Sequence, residues 1–252
     1  LERDTKPIGS TSLSSGFIPA AGTRWQHEKV IDDTPVLFAK DIQNKAKGKA
    51  DPELVQLTTE SAAPTLEWLS DHHGIPFELL EGFLYPGHSK LRMYAVPEHT
   101  GASLLHRLNE SVVRRKLPLL CEAIVSDLFV DEMQKIQGVK VLRSDGSMET
   151  IGCQTMILAC NGFGGNPELL NRFIPELAGM DYFGHVGNQG DAVSWGESLG
   201  AELRDMGAFQ GHGSVAHPHG ILITWALMME GGIQVNLEGY RFSNEHQGYS
   251  EQ

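Results

Sequence analysis

The spacing of apolar residues predicts two helices near the start of the chain. From Val36 to Ala46 apolar side chains recur at roughly the helical period. A second, longer helix is predicted to begin at Asp51, because Asp suits the N-cap and Pro52 suits the first turn. Gly74 is a suitable C-terminal stop, and Pro64 is expected to kink or divide this helix. Its apolar face is expected to consist of Leu54, Leu57, Trp68 and Leu69.

The middle of the chain is predicted to contain a third helix and then three strands. Residues 75–99 carry three prolines and are expected to be irregular. The third helix is marked by Leu104, Leu105, Leu108 and Val112. The three strand-like segments run from about Leu119 to Val130, Ile136 to Arg143 and Glu149 to Ala159. Ser144–Ser147 joins the second and third as a hairpin turn.

Two shorter helices are expected further along, one capped by Asn166-Pro167 and one opening at Gly190-Asp191. Helices and strands alternate early, and a hairpin meander follows. The fold class is therefore expected to be α/β with α+β elements, rather than a helical bundle or a sandwich.

Composition narrows the class of partner. Lys and Arg total 20 against 32 Asp and Glu, for a net charge of −12. So acidic a chain is a poor match to a nucleic acid or an anionic membrane, and no nucleic-acid partner is expected. No apolar run approaches the ~20 residues of a membrane helix, so no transmembrane segment is expected. Three cysteines without metal-ligand spacing indicate reduced thiols and a cytoplasmic protein.

Glycine is over-represented, with 28 residues in 252, and it clusters where chemistry is plausible. Met156–Pro167 is predicted to form an apolar strand, a tight glycine turn and a helix N-terminus, which suits a phosphate or a nucleotide. Within it Asn161 is expected to adopt a positive φ, which Asn tolerates best after Gly. An ordinary strand-to-helix turn is the alternative. Asp191 is expected either to cap its helix or to accept a hydrogen bond from a sugar or flavin hydroxyl.

Two apparent motifs near residue 212 are rejected. Gly211–Ala216 fits G-x-G-x-x-A, but no clear strand precedes it and Pro218 interrupts any following helix. His212, His217 and His219 resemble no common zinc pattern, so no metal site is expected. A proton-handling or substrate-binding histidine is favoured, with a solvated loop histidine as the alternative.

In order and spacing these segments resemble the flavoprotein subunits of the fumarate reductase and succinate dehydrogenase superfamily. That superfamily includes soluble fumarate reductases, 3-ketosteroid Δ1-dehydrogenases and tricarballylate-type dehydrogenases. Ala159–Phe163 resembles its Ala-Thr-Gly-Gly-Phe turn, with Asn161 replacing one glycine. Gly190–Ala192 resembles its Gly-Asp-Gly, and Gly9–Gly16 resembles the loop that runs along the pyrophosphate towards the flavin ring. The resemblance implies that the cofactor is FAD.

The resemblance also assigns cofactor-binding roles. Glu2 matches the acidic residue that holds the adenosine ribose, and Val125 lies on the strand whose backbone touches adenine. The remaining cofactor-binding residues implied in this way are Gly9, Ser10, Thr11, Ser15, Gly16, Ala159, Cys160, Asn161, Gly162, Gly190 and Asp191.

The same comparison implies a domain division. Residues 1–204 are expected to be a partial, Rossmann-like FAD-binding domain with a β-meander, lacking its N-terminal G-x-G-x-x-G strand and helix. Residues 205–252 are expected to begin a substrate-capping domain. The sequence is therefore interpreted as an internal fragment of a longer flavoprotein, inactive by itself.

Family chemistry is hydride transfer between flavin N5 and a carbon beside a carbonyl-activated centre, with a proton moved on the other face. His212 and Thr224 match the residues that bind a substrate carboxylate in fumarate reductases. Trp225 stands where those enzymes have a glutamate that relays protons. Tyr249 stands where they have an arginine that acts as the acid. Losing a cation and a carboxylate disfavours a small dianion as substrate.

Tyr249 resembles the proton-handling tyrosine of the ketosteroid dehydrogenases, and a tyrosine packed at a domain edge is the alternative. Trp225 is interpreted as a packing or pocket-wall residue. One hypothesis is therefore an FAD-dependent oxidoreductase that desaturates or reduces a C–C bond beside a carbonyl. Its partners would be a small-molecule substrate and an unidentified electron donor or acceptor. The other is a catalytically silent fragment or a cofactor-free module of flavoprotein fold.

Overall fold

The computed structural model describes residues 1–82 and 84–248. The chain forms two compact units. The first consists of Leu1–Ser10 and Arg114–Phe209, and the second of Thr11–Val113 and the segment that begins at Gln210. The predicted functional division at residue 204 stays a prediction.

The second unit contains the predicted early helices. They are α1 (Arg24–Glu28), α2 (Pro35–Lys45), α3 (Pro52–His73) and α4 (Gly101–Arg114). Asp51 caps α3 as expected, since its Oδ1 accepts the backbone N–H groups of Glu53 at 2.9 Å and Leu54 at 3.1 Å. Gly74 ends α3 in the left-handed conformation, at φ 68°. The helix boundaries predicted from capping residues are therefore confirmed.

The apolar face predicted for α3 is wrong. Its buried residues are Val55, Thr59, Ala63 and Leu66. The expected members Leu54, Leu57 and Trp68 are 60%, 62% and 50% exposed, and Leu69 alone packs against the core. Two of the four buried residues, Thr59 and Ala63, are polar or small, so hydrophobicity alone does not reveal this face.

Pro64 does not divide α3. The helix runs unbroken through this proline. Pro64 and Glu60 are both exposed, so the turn that lacks a backbone hydrogen bond lies on the exposed side of the helix.

The region expected to be irregular contains two short strands. With β1 (Ile18–Pro19) at one edge, β2 (Glu78–Leu79) and β3 (Met93–Ala95) form an antiparallel sheet in the order β1–β3–β2. The core of the unit packs on this sheet. It consists of Ala20, Ala63, Leu66, Ile75, Phe77, Leu79, Tyr94, Val96 and Leu104.

A buried arginine holds this unit together. The Arg92 side chain is fully buried, and it binds Asp33 through two 2.9 Å hydrogen bonds and Asp41 through one of 2.7 Å. Burial opposes ionisation of Asp41, but hydrogen bonds from Ser89 and Arg92 outweigh it and hold the pKa of Asp41 below its usual value. The guanidinium also lies over the Phe38 ring, 4.7 Å from its centroid. One cation thus joins the α1–α2 connection, α2 and the start of β3.

Beside it, the Thr23 hydroxyl is hydrogen-bonded to the Tyr94 hydroxyl inside the core. Burial raises the pKa of Tyr94 to about 12, because the phenolate would have to form away from water. Tyr94 is therefore a neutral structural residue at any physiological pH.

The first unit is built on the predicted meander. Strands β4 (Ala123–Val130), β5 (Ile136–Arg143) and β6 (Met148–Gly152) pair antiparallel in the order β4–β5–β6. At the β5–β6 turn Asp145 Oδ1 accepts the Ser147 N–H at 2.8 Å, and Gly146 has a φ of 82°. The predicted hairpin is confirmed. The core of the meander consists of Ala123, Val139 and Val141, with Val125 and Met156 among the partly buried residues packed on it.

The third strand is shorter than predicted. It ends at Gly152 rather than Ala159, and residues 154–160 are not assigned to any strand. Ile157 is 91% exposed and Leu158 is 44% exposed. A strand needs a partner for its backbone groups, and none of the described residues is hydrogen-bonded to the backbone of this segment. The expected apolar strand before the glycine turn is thus an extended segment without a sheet.

The two later helices are confirmed as α5 (Pro167–Phe173), which Asn166 caps, and α6 (Asp191–Ser198), which begins after Gly190. The second unit resumes with β7 (Val215–Ala216) paired with β8 (Ile221–Leu222) and a short helix, α7 (Ala226–Met229). Further along, Val235 and Arg241 form an isolated antiparallel bridge.

In the part of the chain outside residues 83 and 249–252, no helix is long and apolar enough to cross a membrane.

We expect Arg92→Ala to lower the free energy of unfolding by about 3–5 kcal/mol, because it leaves Asp33 and Asp41 buried without their cation. Urea denaturation followed by circular dichroism measures this. The control is Arg204→Ala, whose partner Glu202 is exposed and whose loss is expected to cost less than about 1 kcal/mol. Similar losses in the two variants would contradict the importance assigned to Arg92.

Candidate cofactor and substrate site

The glycine turn after residue 160 has the backbone expected of it. Asn161 adopts a positive φ of 59°, as predicted. Gly162 is exposed, and a Cβ built on it would have no heavy atom within 4 Å. On Gly165, by contrast, a Cβ would lie 2.9 Å from the carbonyl oxygen of Val186. The turn is thus open at Gly162 and tightly packed at Gly165.

Gly190 lies against this turn. Its N–H donates to the Gly162 carbonyl at 3.1 Å, and its φ is 81°. A Cβ there would lie 2.3 Å from Leu169 Cδ1 and 2.8 Å from Phe163 Cβ. Two of the predicted cofactor segments, 28 residues apart in sequence, therefore meet through their backbones.

Asp191 is the first residue of α6 and is half-buried. The N-cap position belongs to Gly190, and no side-chain hydrogen bond caps the helix. The capping alternative for Asp191 is therefore wrong, although its charge complements the helix dipole.

Ser10 joins the same cluster. Its hydroxyl oxygen accepts the backbone N–H of His185 at 3.1 Å and the Nδ2–H of Asn188 at 2.9 Å. The Asn188 carbonyl in turn accepts the Gly165 N–H at 2.9 Å. Asn188 is 8% exposed and links the first predicted loop to the glycine turn. Sequence reasoning missed its role, although its place beside Gly187 and Gly190 was a usable signal.

His185 was missed as well. Its Nε2 lies 2.8 Å from Asp4 Oδ2, and Arg3 Nη1 donates to the Gly187 carbonyl at 3.0 Å. These contacts fix residues 3–10 against the 185–188 turn. No sequence pattern marks them, because each joins residues more than 180 positions apart.

Glu2 is held by backbone hydrogen bonds beside the start of β4. Its N–H donates to the Leu120 carbonyl at 2.8 Å, and its own carbonyl accepts the Ala123 N–H at 2.9 Å. The first residues thus run beside the start of β4, which carries Val125. A register shift of the kind that a β-bulge produces follows between Val125 and Asp127.

A cavity of about 410 Å³ opens beside these residues. Arg3, Asp4, Ile124, Arg143 and His185 are among the residues that line it. The first unit therefore offers a recess lined by Arg3, Asp4 and His185, whose N–H binds Ser10, and an exposed glycine turn at Gly162.

The remaining members of the predicted cofactor set have simpler surroundings. Ala159 is exposed and Cys160 half-buried on the unpaired segment, and Gly9 has a φ of 45° with open space around its Cβ position. Thr11, Ser15 and Gly16 belong to the second unit, where Gly16 is buried with a φ of 69°.

The second unit places two predicted catalytic residues at the same end of the β7–β8 hairpin. Val215 pairs with Leu222, and the Ile223 N–H donates to the Ser214 carbonyl at 2.9 Å. His212 precedes this pair and Thr224 follows it. His212 is half-buried, its Nδ1 lies 3.3 Å from the Ser214 hydroxyl, and burial lowers its pKa. At neutral pH the imidazole is therefore uncharged.

Trp225 is 1% exposed, which fits a packing residue. Nearby, Glu245 Oε1 accepts the Gln234 N–H at 2.8 Å and Oε2 accepts from Arg241 at 2.5 Å. The hydrogen bond from Arg241, then that from Gln234, lowers the pKa of Glu245 to about 2. Gln234 also donates to the Gly213 carbonyl at 3.0 Å, so Glu245 supports the segment beside His212. Tyr249 lies outside the described residues.

Comparison with known proteins identifies the family. Residues 2–251 match the FAD_binding_2 family, described as an FAD binding domain. The chain belongs to this family. The expected cofactor class and the superfamily resemblance are thereby confirmed.

Sequence similarity to a fumarate reductase is consistent with this family. Over 247 residues the chain is 26% identical to a fumarate reductase (cytochrome) of Shewanella frigidimarina, covering 97% of this chain and 43% of that protein. The chain thus spans less than half the length of this relative.

Two solved structures show the same fold. An open conformation of a flavocytochrome c3 fumarate reductase is similar with a TM-score of 0.85 at 22% identity, over 99% of this chain and 44% of that one. A 3-ketosteroid-Δ4-(5α)-dehydrogenase from Rhodococcus jostii RHA1 has a TM-score of 0.80 at 21% identity, over 99% and 56%. The α/β fold class with a flavoprotein-like meander is therefore confirmed.

The residues of the first unit fit FAD. Pyrophosphate binding needs exposed backbone that a dinucleotide can approach closely, and Gly162 supplies it with open space on its Cβ side. Asn188 joins Ser10 to this turn, and the recess lined by Arg3, Asp4 and His185 lies in the same unit.

We expect Gly165→Ala to lower the free energy of unfolding by about 1–3 kcal/mol, because its Cβ would overlap the packed backbone at Val186. Gly162→Ala, three residues away and open on its Cβ side, is expected to change it by no more than about 0.5 kcal/mol. Thermal unfolding of the apoprotein measures both. A larger loss for Gly162→Ala would contradict the packing of the turn.

Proposed function

We propose that the whole protein is an FAD-dependent oxidoreductase that desaturates or reduces a C–C bond beside a carbonyl. The observation that carries this is the contact between Gly162 and Gly190, with Ser10 linked to the same turn through Asn188, in a family described as an FAD binding domain. When bound, FAD supplies the hydride chemistry at its N5 atom. The protein's own residues bind and orient the substrate and handle the proton.

Glu2 is proposed to hold the adenosine ribose, and the backbone of Val125 to face adenine. Gly9–Gly16, Ala159–Gly162 and Gly190-Asp191 are proposed to lie along the pyrophosphate and the flavin. The exposed backbone at Gly162 and the half-buried Asp191 support this assignment.

His212 and Thr224 are proposed to bind the carbonyl group of the substrate. Their position at one end of the β7–β8 hairpin supports a joint role. Because burial keeps His212 neutral, it offers a hydrogen bond rather than a positive charge. Trp225 replaces a carboxylate and is buried. Both features favour an uncharged ketone or enone over a small dianion.

Tyr249 is proposed to move the proton on the face of the substrate opposite the flavin. A phenol needs a hydrogen-bonding or cationic neighbour to act as a base near neutral pH. The segment before it is held from two sides. Glu245 is bonded to Arg241 and Gln234, and the Lys45 Nζ donates to the Gln247 carbonyl at 2.6 Å. These contacts support a proton-transfer role for Tyr249, because such a residue must be held at a defined position.

Residues 205–252 are proposed to begin the substrate-capping domain, after an FAD-binding domain of residues 1–204.

The cysteines Cys121, Cys153 and Cys160 are all free, which supports a reducing, cytoplasmic location. An unidentified electron donor or acceptor completes the reaction.

Cofactor binding is tested by titrating the purified full-length apoprotein with FAD and following the flavin's visible absorbance and fluorescence. The wild-type protein is expected to bind FAD. Gly162→Ala is expected to weaken binding about tenfold, since a methyl group blocks close approach to the backbone. Gly152→Ala, a control on β6 with only an ordinary 3.7 Å contact, is expected to change nothing. A protein that stays colourless would instead be a cofactor-free module of this fold.

The proton-transfer role is tested with Tyr249→Phe in the full-length protein. Turnover of a conjugated enone or its saturated ketone, with an artificial electron donor or acceptor, is expected to fall at least about 100-fold. KM is expected to change little, because the ring is kept. The matched control is Tyr240→Phe, a tyrosine 69% exposed, which is expected to keep full turnover. Unchanged turnover in Tyr249→Phe would show that Tyr249 is only a packing residue.

A further inference from the structure

Two glycines 85 positions apart touch through their backbones in the second unit. Gly16 and Gly101 are both buried. A Cβ built on Gly16 would lie 3.0 Å from both Cα and N of Gly101. The Gly101 N–H donates to the Ser14 carbonyl at 2.8 Å. The first residue of α4 is therefore in direct contact with the loop formed by residues 11–16, called here the flavin loop.

Gly101 has no room for a side chain. A Cβ built on it would lie 1.9 Å from the Thr11 carbonyl oxygen, 2.5 Å from Ser14 Oγ and 2.8 Å from the Ser14 carbonyl oxygen. Two of these three atoms belong to the backbone, so rotation of a side chain cannot relieve the overlap. Any larger residue at position 101 must push the flavin loop away from α4.

Ser14 holds the flavin loop in shape from within. Its hydroxyl donates to the Thr11 carbonyl at 2.8 Å and accepts the Gly16 N–H at 3.0 Å. Its own N–H donates to the Thr11 carbonyl at 3.2 Å. One short side chain thus closes the turn between Thr11 and Gly16.

Core packing does not explain this restraint. The 3₁₀ turn Ser10–Leu13 contains no buried residue, and Leu13 is 53% exposed. Thr11 and Ser14 are exposed as well. The loop is fixed tightly on the side facing α4 and presents its other side to solvent, which is the arrangement expected of a preformed binding surface.

We propose that Gly101 and Ser14 are positioning residues that preset the flavin loop for FAD. This inference rests on the proposed function, which assigns Thr11, Ser15 and Gly16 to the cofactor. A loop already held in its bound conformation avoids the entropic cost of ordering when the dinucleotide binds. Neither residue needs to touch the cofactor itself.

The first test is Gly101→Ala in the full-length protein, compared with Gly196→Ala. Gly196 is a matched control because it is also a helical glycine, and its Cβ would meet only Ala201 Cβ at 3.5 Å. Gly101→Ala is expected to raise the FAD dissociation constant at least about tenfold and to shift the visible flavin bands. Gly196→Ala is expected to leave both unchanged. Equal FAD affinity in Gly101→Ala and wild type would overturn the role of Gly101.

The second test is Ser14→Ala, which adds no atoms and so keeps the proposal falsifiable if Gly101→Ala folds poorly. The variant is expected to bind FAD several-fold more weakly while the melting temperature of the apoprotein stays within about 2 °C of wild type. It is also expected to speed amide hydrogen exchange at Gly16, whose N–H loses its acceptor. Unchanged FAD affinity in Ser14→Ala would overturn the role of Ser14.

Failure of this inference can be distinguished from failure of the proposed function. If wild type binds FAD and both variants bind it equally well, the positioning roles are wrong and the proposed cofactor site stands. If wild type binds no FAD, the proposed function fails, and the positioning roles toward that cofactor fail with it. Amide exchange at Gly16 in the apoprotein then still decides whether Ser14 holds the loop.

Discussion

The fold of the second unit depends on one buried cation. Arg92 is bound to Asp33 and Asp41, so three charges that would be costly to bury singly are buried together. Its backbone takes part too, since the Arg92 carbonyl accepts the Ala20 N–H at 2.9 Å just after β1. The flavin loop leads directly into β1. The ion cluster therefore fixes the frame from which the proposed cofactor loop extends, although none of its members belongs to that loop.

Features encoded by neighbouring residues were predictable. The N-cap at Asp51, the left-handed stop at Gly74, the Ser144–Ser147 hairpin and the positive φ of Asn161 all follow from the preferences of a few adjacent residues. The family resemblance was accessible for a similar reason, because its motifs are short and keep their order along the chain.

Features that depend on distant partners were not predictable. The buried face of α3 was misassigned because its real members include Thr59 and Ala63, whose burial is set by what packs against them. The roles of Asn188, His185 and Gly101 were not predictable because each acts through a contact with residues far along the chain. The apolar run at residues 156–159 predicted a strand. A hydrophobic pattern shows that a segment can form a strand, but it does not show whether another strand is available to pair with it.

The extended segment of residues 154–160 has a consequence for handling the protein. Its backbone makes no hydrogen bond to a described residue, and Ile157 projects almost wholly into solvent. An apolar strand with free amide and carbonyl groups is a template onto which another strand can add. We therefore expect this stretch of chain to favour self-association at high concentration. A charged residue in place of Ile157 would act as a gatekeeper against sheet growth and leave the glycine turn that follows untouched.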